Sequence, residues 1–130
     1  MHQGYSQYKT TKALTASPTD LVVMLYEVAV NQLRRSAVAM DNRDMQMAHN
    51  SLIKAQQALE ELQFGVDRSR GEIAESLFSI YCWMIDELVV ANVHKDVTRV
   101  RRVIPMLEEL LDAWRTISAQ PVEAVRTKSA

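Results

Sequence analysis

The chain has 130 residues, and its 15 lysines and arginines nearly balance its 16 aspartates and glutamates, which leaves a formal net charge of −1. A composition of 48% apolar and 24% charged residues is that of an ordinary globular domain, so we expect one folded domain. The near-neutral charge excludes a strong global field for nucleic acid or an anionic membrane. The single cysteine, Cys82, excludes an intrachain disulfide framework.

The sequence contains no recognisable membrane-crossing segment or signal peptide. No apolar run approaches the roughly 20 residues that a membrane helix needs. The opening segment 1–5 is not a basic stretch followed by an apolar one, as a secretory signal would be. We therefore expect a cytoplasmic protein that does not insert into a membrane.

Four segments of helical periodicity follow one another along the chain. The first begins at Ser17-Pro18, with a hydroxyl at the N-cap and proline at the first helical position. Three connectors separate the four segments from one another: polar residues 41–44, the glycine-bounded loop 65–71, and Asp96. The apolar stripes are Val22, Leu25, Tyr26, Ala29, Leu33, Ala37 and Met40; Met45, Ala48, Leu52, Ala55, Leu59, Leu62 and Val66; Ile73, Leu77, Ile80, Met84, Leu88 and Ala91; and Val97, Val100, Ile104, Leu107, Leu111 and Trp114.

Short connectors between long helices predict an all-α, antiparallel, up-down four-helix bundle. We expect the bundle to span 17–118, preceded by an N-terminal arm (1–16) and followed by a flexible tail (119–130). Pro105 removes one backbone hydrogen bond within the fourth helix and predicts a kink there. Trp114 lies on a predicted seam, so its replacement by alanine is expected to cost about 3–5 kcal/mol.

Each helix carries more apolar residues than one bundle seam requires. Two explanations stay open for these extra rows: burial against a second neighbouring helix, or grooves that bind an amphipathic helix of a partner. The candidate contact residues lie off the principal seams: Leu21, Met24, Val28, Ile53, Phe64, Phe78, Tyr81, Ile85 and Val89.

No pattern indicates catalysis, a metal or a cofactor. Neither His49 nor His94 follows a glutamate by three residues, as a di-metal carboxylate bundle would require. A glycine-rich phosphate loop is absent, and the arginines at 99–102 are soon followed by acidic residues, which argues against nucleic-acid binding. We expect no enzymatic activity, no cofactor and no metal.

Five short fragments stand out along the chain: Thr15-Ala16-Ser17-Pro18, Met24-Leu25-Tyr26, Lys54-Ala55-Gln56, Gly71-Glu72-Ile73-Ala74 and Leu111-Asp112-Ala113-Trp114. In this order and at this spacing they resemble the FliS family of flagellin-specific export chaperones. The resemblance runs from about residue 5 to residue 117. Tyr5 and Tyr8 stand where the family carries a short aromatic arm. The chain departs from the family pattern at Val28, where a glycine is common.

The resemblance implies a cytoplasmic chaperone that binds the disordered C-terminal segment of flagellin in hydrophobic surface grooves. Such a chaperone prevents premature polymerisation and presents flagellin to a gate component of the flagellar type III export apparatus. Tyr5 and Tyr8 are further contact candidates, in an arm that covers a groove until flagellin displaces it. A monomer or weak homodimer is expected for the free protein. The alternative is a homo-oligomeric structural bundle, or an adaptor, without a flagellin client.

Overall fold

A computed structural model describes residues 18–120, and all structural statements below concern this part of the chain. Its helices are α1 (Pro18–Asp41), α2 (Met45–Phe64), α3 (Glu72–His94) and α4 (Val97–Ser118), with a single 3-10 turn, Arg68–Arg70, between α2 and α3. No strand occurs within this range, so the predicted all-α class is confirmed. No helix of residues 18–120 combines the length and the apolar character needed to cross a bilayer. The predicted arm lies outside the described residues, as does the tail after Gln120.

Local chemistry sets the helix ends. Asp44 Oδ1 accepts a hydrogen bond from the Met47 backbone N–H at 3.2 Å, and Asp96 Oδ1 accepts one from Thr98 at 3.0 Å. Both carboxylates therefore cap the helix that follows them. Gly71 precedes α3 with φ 113° and ψ −165°, a conformation that a side chain would strain, so a glycine suits this junction.

The four helices form a closed antiparallel ring. α1 packs against α2 and α4, and α3 packs against the same two helices. Within the described residues, neither α1 with α3 nor α2 with α4 makes a close backbone approach. The up-down four-helix bundle predicted from the short connectors is confirmed.

α1 and α2 pack extensively against each other, and both carry small buried residues. Ala29 and Ala37 on α1 are buried, and so are Ala48 and Ala55 on α2. Ser36 Oγ also donates a hydrogen bond to the Ala48 carbonyl at 3.1 Å. Small side chains allow the two backbones to approach, and larger residues from the other helices, such as Leu107, complete the core.

The predicted stripes are wrong at two of their first positions. Met45 is 40% exposed and Ile73 is 87% exposed, although both fit the heptad spacing. Each begins its helix beside a connector, where no neighbouring helix reaches far enough to cover it. In contrast, Met24 and Tyr81, predicted to lie off the principal seams, are buried in the core. The inner face of each helix has two neighbours and is therefore wider than one heptad seam.

Charged residues close the outer edge of the α1–α4 seam. Three ion pairs cross it, and each step between pairs is seven residues on both helices: Glu27 with Arg115, Arg34 with Glu108, and Asp41 with Arg101. The signs alternate along each helix, so this ladder matches only one antiparallel register. We call this set of six residues the α1–α4 charge ladder.

A second ionic contact joins α3 to α4. Glu87 is buried, and its carboxylate accepts hydrogen bonds from Arg99 and from Arg102, the latter at 2.9 Å. The hydrogen bond from Arg99 lowers the pKa of Glu87 against the opposing effect of desolvation, and Arg102 lowers it further. Glu87 is therefore a charged anchor that fixes the C-terminal half of α3 against the start of α4.

Pro105 lies within α4 and does not end it. The helix runs from Val97 to Ser118, and the proline ring is exposed. The kink expected from the missing backbone N–H stays a prediction.

Candidate protein-binding site

α3 is the most apolar of the four helices and also the least covered by its neighbours. Its buried residues are confined to Tyr81, Met84, Glu87, Leu88 and Ala91. Its exposed large apolar residues are Ile73, Trp83, Val89 and Val93. An amphipathic helix in a bundle normally turns a charged face to water, so this outer surface of α3 is the feature of the molecule that demands an explanation.

An open apolar cavity of about 410 Å³ lies at the end of the bundle that carries the α2–α3 loop. We call it the loop-end cavity. Every helix contributes to its wall: Val22 from α1, Leu62 from α2, Ile73, Ala74, Leu77 and Tyr81 from α3, and Trp114 from α4, with Gly65, Val66, Asp67 and Arg70 from the loop. Side chains of residues 18–120 leave the space between these helix ends unfilled. A cavity of this size suits a few apolar side chains of a partner.

Two tyrosines lie beneath the loop-end cavity. The hydroxyls of Tyr26 and Tyr81 are hydrogen-bonded, their ring centroids are 6.2 Å apart, and both side chains are buried. Burial raises the pKa of Tyr26, against hydrogen bonds from Tyr81 and Trp114 that lower it. Burial is also the main cause of the raised pKa of Tyr81. Both phenols are therefore neutral at ordinary pH, and the pair serves as a polar link between α1 and α3 rather than as an acid or base.

A second concavity, of about 380 Å³, lies between α2 and α3 near the opposite end of the bundle. We call it the α2–α3 groove, and its lining residues are His49, Ile53, Gln56, Val89, Asn92, Val93 and Lys95. Asn92 Nδ2 lies 3.0 Å from His49 Nδ1 across the helix pair, and Lys95 Nζ donates to Asn92 Oδ1 at 2.7 Å. Polar contacts thus hold one end of the groove, while isoleucine and valine form its apolar part.

Side chains from α2 and the loop cover the edge of α3 between the two concavities. Gln63 Nε2 lies 3.1 Å from the Cys82 sulfur. The Arg68 guanidinium stacks 4.2 Å from the centroid of the Phe78 ring, and its Nε donates to Glu75 at 2.8 Å. One face of Phe78 is therefore covered by an exposed, movable side chain rather than by the core.

The predicted contact residues divide into three groups in the structure. Ile53 and Val89 line the α2–α3 groove, and Phe64, at the end of α2, is 92% exposed. Half-buried residues that form the second group are Leu21, Val28, Phe78 and Ile85. Met24 and Tyr81 form the third, being 4% and 1% exposed. Both side chains are almost entirely buried, so the expectation that they lie at an accessible surface is wrong. Of the two, only Tyr81 contributes to the wall of the loop-end cavity. Tyr5 and Tyr8 lie outside the described residues.

Sequence reasoning missed several residues that line the cavities. Leu62 and Val66 end the second predicted stripe and Trp114 ends the fourth, so their spacing predicts core positions. All three line the loop-end cavity. A stripe that continues past the end of its neighbour is the signal that could have identified them. For the α2–α3 groove, the signal is Asn92, a polar residue within an otherwise apolar stretch of α3.

The opposite side of the bundle offers a contrast. A small polar cavity of about 160 Å³ lies between α1 and α4, and half of its lining residues belong to the charge ladder: Glu27, Arg34, Glu108 and Arg115. An apolar helix placed there would bury paired charges, so the apolar surfaces on α3 are the better protein-binding site. Within residues 18–120, no cluster of three or more potential metal-ligating side chains occurs.

The sequence of the chain is similar to those of known proteins of one family. The family model described as "Flagellar protein FliS" matches residues 1–121. The chain is 33% identical over 111 residues to the "Flagellar secretion chaperone FliS" of Bacillus subtilis (strain 168), covering 85% of this chain and 83% of that protein. It is 30% identical over 122 residues to the protein of that name from Escherichia coli (strain K12), covering 92% and 90%.

A solved structure described as "Crystal structure of flagellar chaperone from bacteria" shares the fold. The TM-score is 0.71 at 20% sequence identity, and the match covers 89% of this chain and 95% of that one. The resemblance in sequence, the family model and the four-helix architecture all agree. The chain therefore belongs to the FliS family, a family of flagellar secretion chaperones and not of enzymes.

Proposed function

We propose that this protein is a cytoplasmic export chaperone that holds the C-terminal segment of flagellin on the apolar surfaces of α3. In this role it prevents flagellin from polymerising before export and delivers it to a gate component of the flagellar type III export apparatus. The relatives' names support a flagellar secretion chaperone. The uncovered apolar surface of α3 is the single observation in the structure that carries the flagellin-binding part of the proposal.

The two concavities lie at different heights and on different sides of α3, which suits a ligand that is flexible before it binds. Leu77 in the wall of the loop-end cavity and Val89 in the α2–α3 groove are both on α3. At 1.5 Å per residue they lie about 18 Å apart along the helix, a span of about 12 helical residues. A disordered segment that folds on binding can place apolar residues in both concavities, and ordering it consumes part of the interaction free energy.

The physical basis of the chaperone effect is competition for the same apolar residues. A segment whose apolar face is held against α3 cannot present that face to a second flagellin molecule. The binding surface is apolar but narrow, and polar contacts such as Asn92 with His49 and Arg68 with Glu75 border it. Such borders limit self-association of the free chaperone, which is consistent with a monomer or weak homodimer.

The chain's one cysteine provides a direct test. Cys82 is half-buried on α3, on the edge that faces α2. We expect the flagellin C-terminal segment to slow alkylation of Cys82 by a maleimide reagent, in proportion to the occupied fraction of the chaperone. A scrambled segment of the same composition is the matched control. The proposal is contradicted if both peptides slow the alkylation of Cys82 equally, or if neither peptide slows it.

Light scattering on a sizing column separates the proposal from the homo-oligomeric alternative. A chaperone should form a complex with one mass, the sum of chaperone and segment. A structural bundle should keep its own mass whether or not the segment is present. Co-purification from cells that express flagellin with and without its C-terminal segment then tests the interaction in full-length proteins.

A further inference from the structure

One face of the Phe78 ring is covered by a charged side chain instead of by the core. The Arg68 guanidinium lies 4.2 Å from the ring centroid. Two hydrogen bonds to one carboxylate hold it there: Arg68 Nε donates to Glu75 Oε1 at 2.8 Å, and Nη2 donates to Oε2 at 3.2 Å. The hydrogen bond from Arg68 is the main cause of the lowered pKa of Glu75, so this carboxylate is ionised at neutral pH.

Phe78 begins an apolar row that leads along α3 to the α2–α3 groove. At about 100° per residue, Phe78, Ile85 and Val89 fall on the same side of the helix, and Val89 lines the groove. Leu77, the residue before Phe78, forms part of the wall of the loop-end cavity. Arg68 therefore covers the apolar surface of α3 at a point between the two concavities.

Arg68 can leave the Phe78 ring at a small cost in free energy. The side chains of Arg68 and Glu75 are each about half exposed, and exposed ion pairs contribute little to stability because water and salt screen them. An exposed arginine stacked on an aromatic ring adds a similarly small contribution. Rotation about the side-chain bonds of Arg68 uncovers the ring without a change in the loop backbone, which the Asp67 cap holds.

We infer that Arg68 is an autoinhibitory cover of the α3 binding surface, which the ligand helix displaces from Phe78 when it binds. This inference rests on the proposed function, since the ligand helix is taken to belong to the flagellin C-terminal segment. In the free chaperone, the guanidinium interrupts the apolar surface with a charge. In the complex, apolar side chains of the segment replace it on the ring, and the guanidinium returns to water.

The cover has two physical consequences. Binding has to break the ion pair and the stacking contact, so the cover lowers the affinity for the segment. In the absence of the segment, the cover reduces the contiguous apolar surface through which two free chaperones could associate. The protein therefore loses a small factor in affinity and keeps part of its binding surface away from unwanted contacts.

The test replaces Arg68 by alanine in the full-length chaperone. Affinity for a peptide of the C-terminal flagellin segment from the same organism is measured by calorimetry. We expect Arg68→Ala to tighten binding about fivefold, since the peptide no longer has to displace the side chain. The urea midpoint should match that of the wild type, because the lost contacts are exposed. Unchanged or weaker binding would overturn the inference.

Glu75→Gln distinguishes a cover from a direct contact with the ligand. Glutamine has nearly the same size as glutamate and holds Arg68 less strongly because it carries no charge. If Arg68 is a cover, Glu75→Gln should also tighten binding, by a smaller factor than Arg68→Ala does. If Arg68 instead pairs with an acidic residue of the segment, Arg68→Ala should weaken binding and Glu75→Gln should strengthen it. Effects of opposite sign are therefore evidence against the cover.

Arg35 provides the matched control for the loss of one positive charge. It is an exposed arginine on α1 and lines neither the loop-end cavity nor the α2–α3 groove. Arg35→Ala should leave the affinity for the segment unchanged. If it tightens binding as much as Arg68→Ala does, the effect arises from net charge, and the covering role of Arg68 is refuted.

An uncharged apolar dye tests the cover without flagellin. Nile red fluoresces on apolar surfaces, and its neutrality makes it insensitive to the lost charge. Free Arg68→Ala should give stronger Nile red fluorescence than the wild type or Arg35→Ala. Equal fluorescence of all three proteins would show that Arg68 covers no apolar surface, and the inference fails. Absence of peptide binding by the wild-type chaperone would instead contradict the proposed function, so the two failures are distinguishable.

Discussion

At the residue scale, Ile53 and Phe64 separate binding from stability. Phe64 is almost fully exposed, and Ile53 is half-buried in the wall of the α2–α3 groove. Because the Phe64 side chain buries little area, the Phe64→Glu variant should have the same helicity and urea midpoint as the wild type. Ile53→Glu places a charge within the groove and should lower flagellin-segment affinity at least tenfold, at a stability cost of about 1 kcal/mol.

Val38 is the control for both substitutions. It is an exposed apolar residue on α1, with 57% of its surface accessible, and it lines neither concavity. Val38→Glu should bind the segment like the wild type. If Ile53→Glu unfolds the protein, Ile53 belongs to the core; if it folds and binds normally, the groove does not contact flagellin.

Trp114 has a different environment from the one predicted. It is half-buried and forms part of the wall of the loop-end cavity, near the buried Tyr26 hydroxyl. Because part of the indole faces the open cavity, Trp114→Ala should cost about 2–3 kcal/mol, below the loss for a fully buried tryptophan. Chemical denaturation measures this. A loss above about 4 kcal/mol would mean that the cavity is closed in solution.

At the scale of elements, the ionic contact between α3 and α4 makes stability depend on pH. The pKa of Glu87 in the folded protein is below its usual 4.5. The unfolded chain therefore binds a proton more readily than the folded one. The contact contributes stability above about pH 4.5, and this contribution is lost as the pH falls through the folded-state value.

Glu87→Gln should reveal this contribution. Near pH 7 the variant should have a lower urea midpoint than the wild type, since Arg99 and Arg102 lose a charged partner. As the pH falls below about 4.5, the difference between the two proteins should shrink. A difference that is constant across this range would show that Glu87 acts through packing and not through its charge.

α3 also differs from the other helices in how firmly it is held. No residue of α3 before Tyr81 is buried, and this part lines the open cavity, whereas α1 carries buried residues from Met24 to Met40. Amides of residues 74–81 should therefore exchange hydrogen faster than those of α1 in the free protein. The flagellin segment should slow their exchange. Equal protection of α1 and α3 in the free protein would contradict this view of α3.

At the scale of the whole molecule, the start of α1 is close to the loop-end cavity. Val22 contributes to the cavity wall only one turn after Pro18, the first described residue. Chain connectivity links Tyr5 and Tyr8 to the start of α1, and such a tether makes even weak docking effective. Deletion of residues 1–11 should tighten flagellin binding or leave it unchanged, and should increase self-association of the free chaperone.

Calorimetry and light scattering on the truncated protein check this expectation. If deletion weakens binding without any change in self-association, the arm is part of the binding surface and not a competing cover. The two outcomes differ in sign, so a modest change in affinity is enough to decide between them.

Family and fold class could be predicted from the sequence because both depend on local patterns. Helix number, the caps at Asp44 and Asp96 and the antiparallel order follow from periodicity, short polar residues and connector length. The sequence predicts Ile53 and Val89 as contact residues because they are apolar positions off the seams, and both line the α2–α3 groove. Such local signals lie within one helix and need no knowledge of its neighbours.

The tertiary structure alone decided which of the extra apolar rows are buried. Met24 and Tyr81 belong to the core, whereas Trp114 lines the loop-end cavity. The α1–α4 charge ladder likewise depends on how two helices distant in sequence are rotated about their axes. Sequence periodicity determines the apolar face of a helix, whereas packing determines how much of that face a neighbour covers.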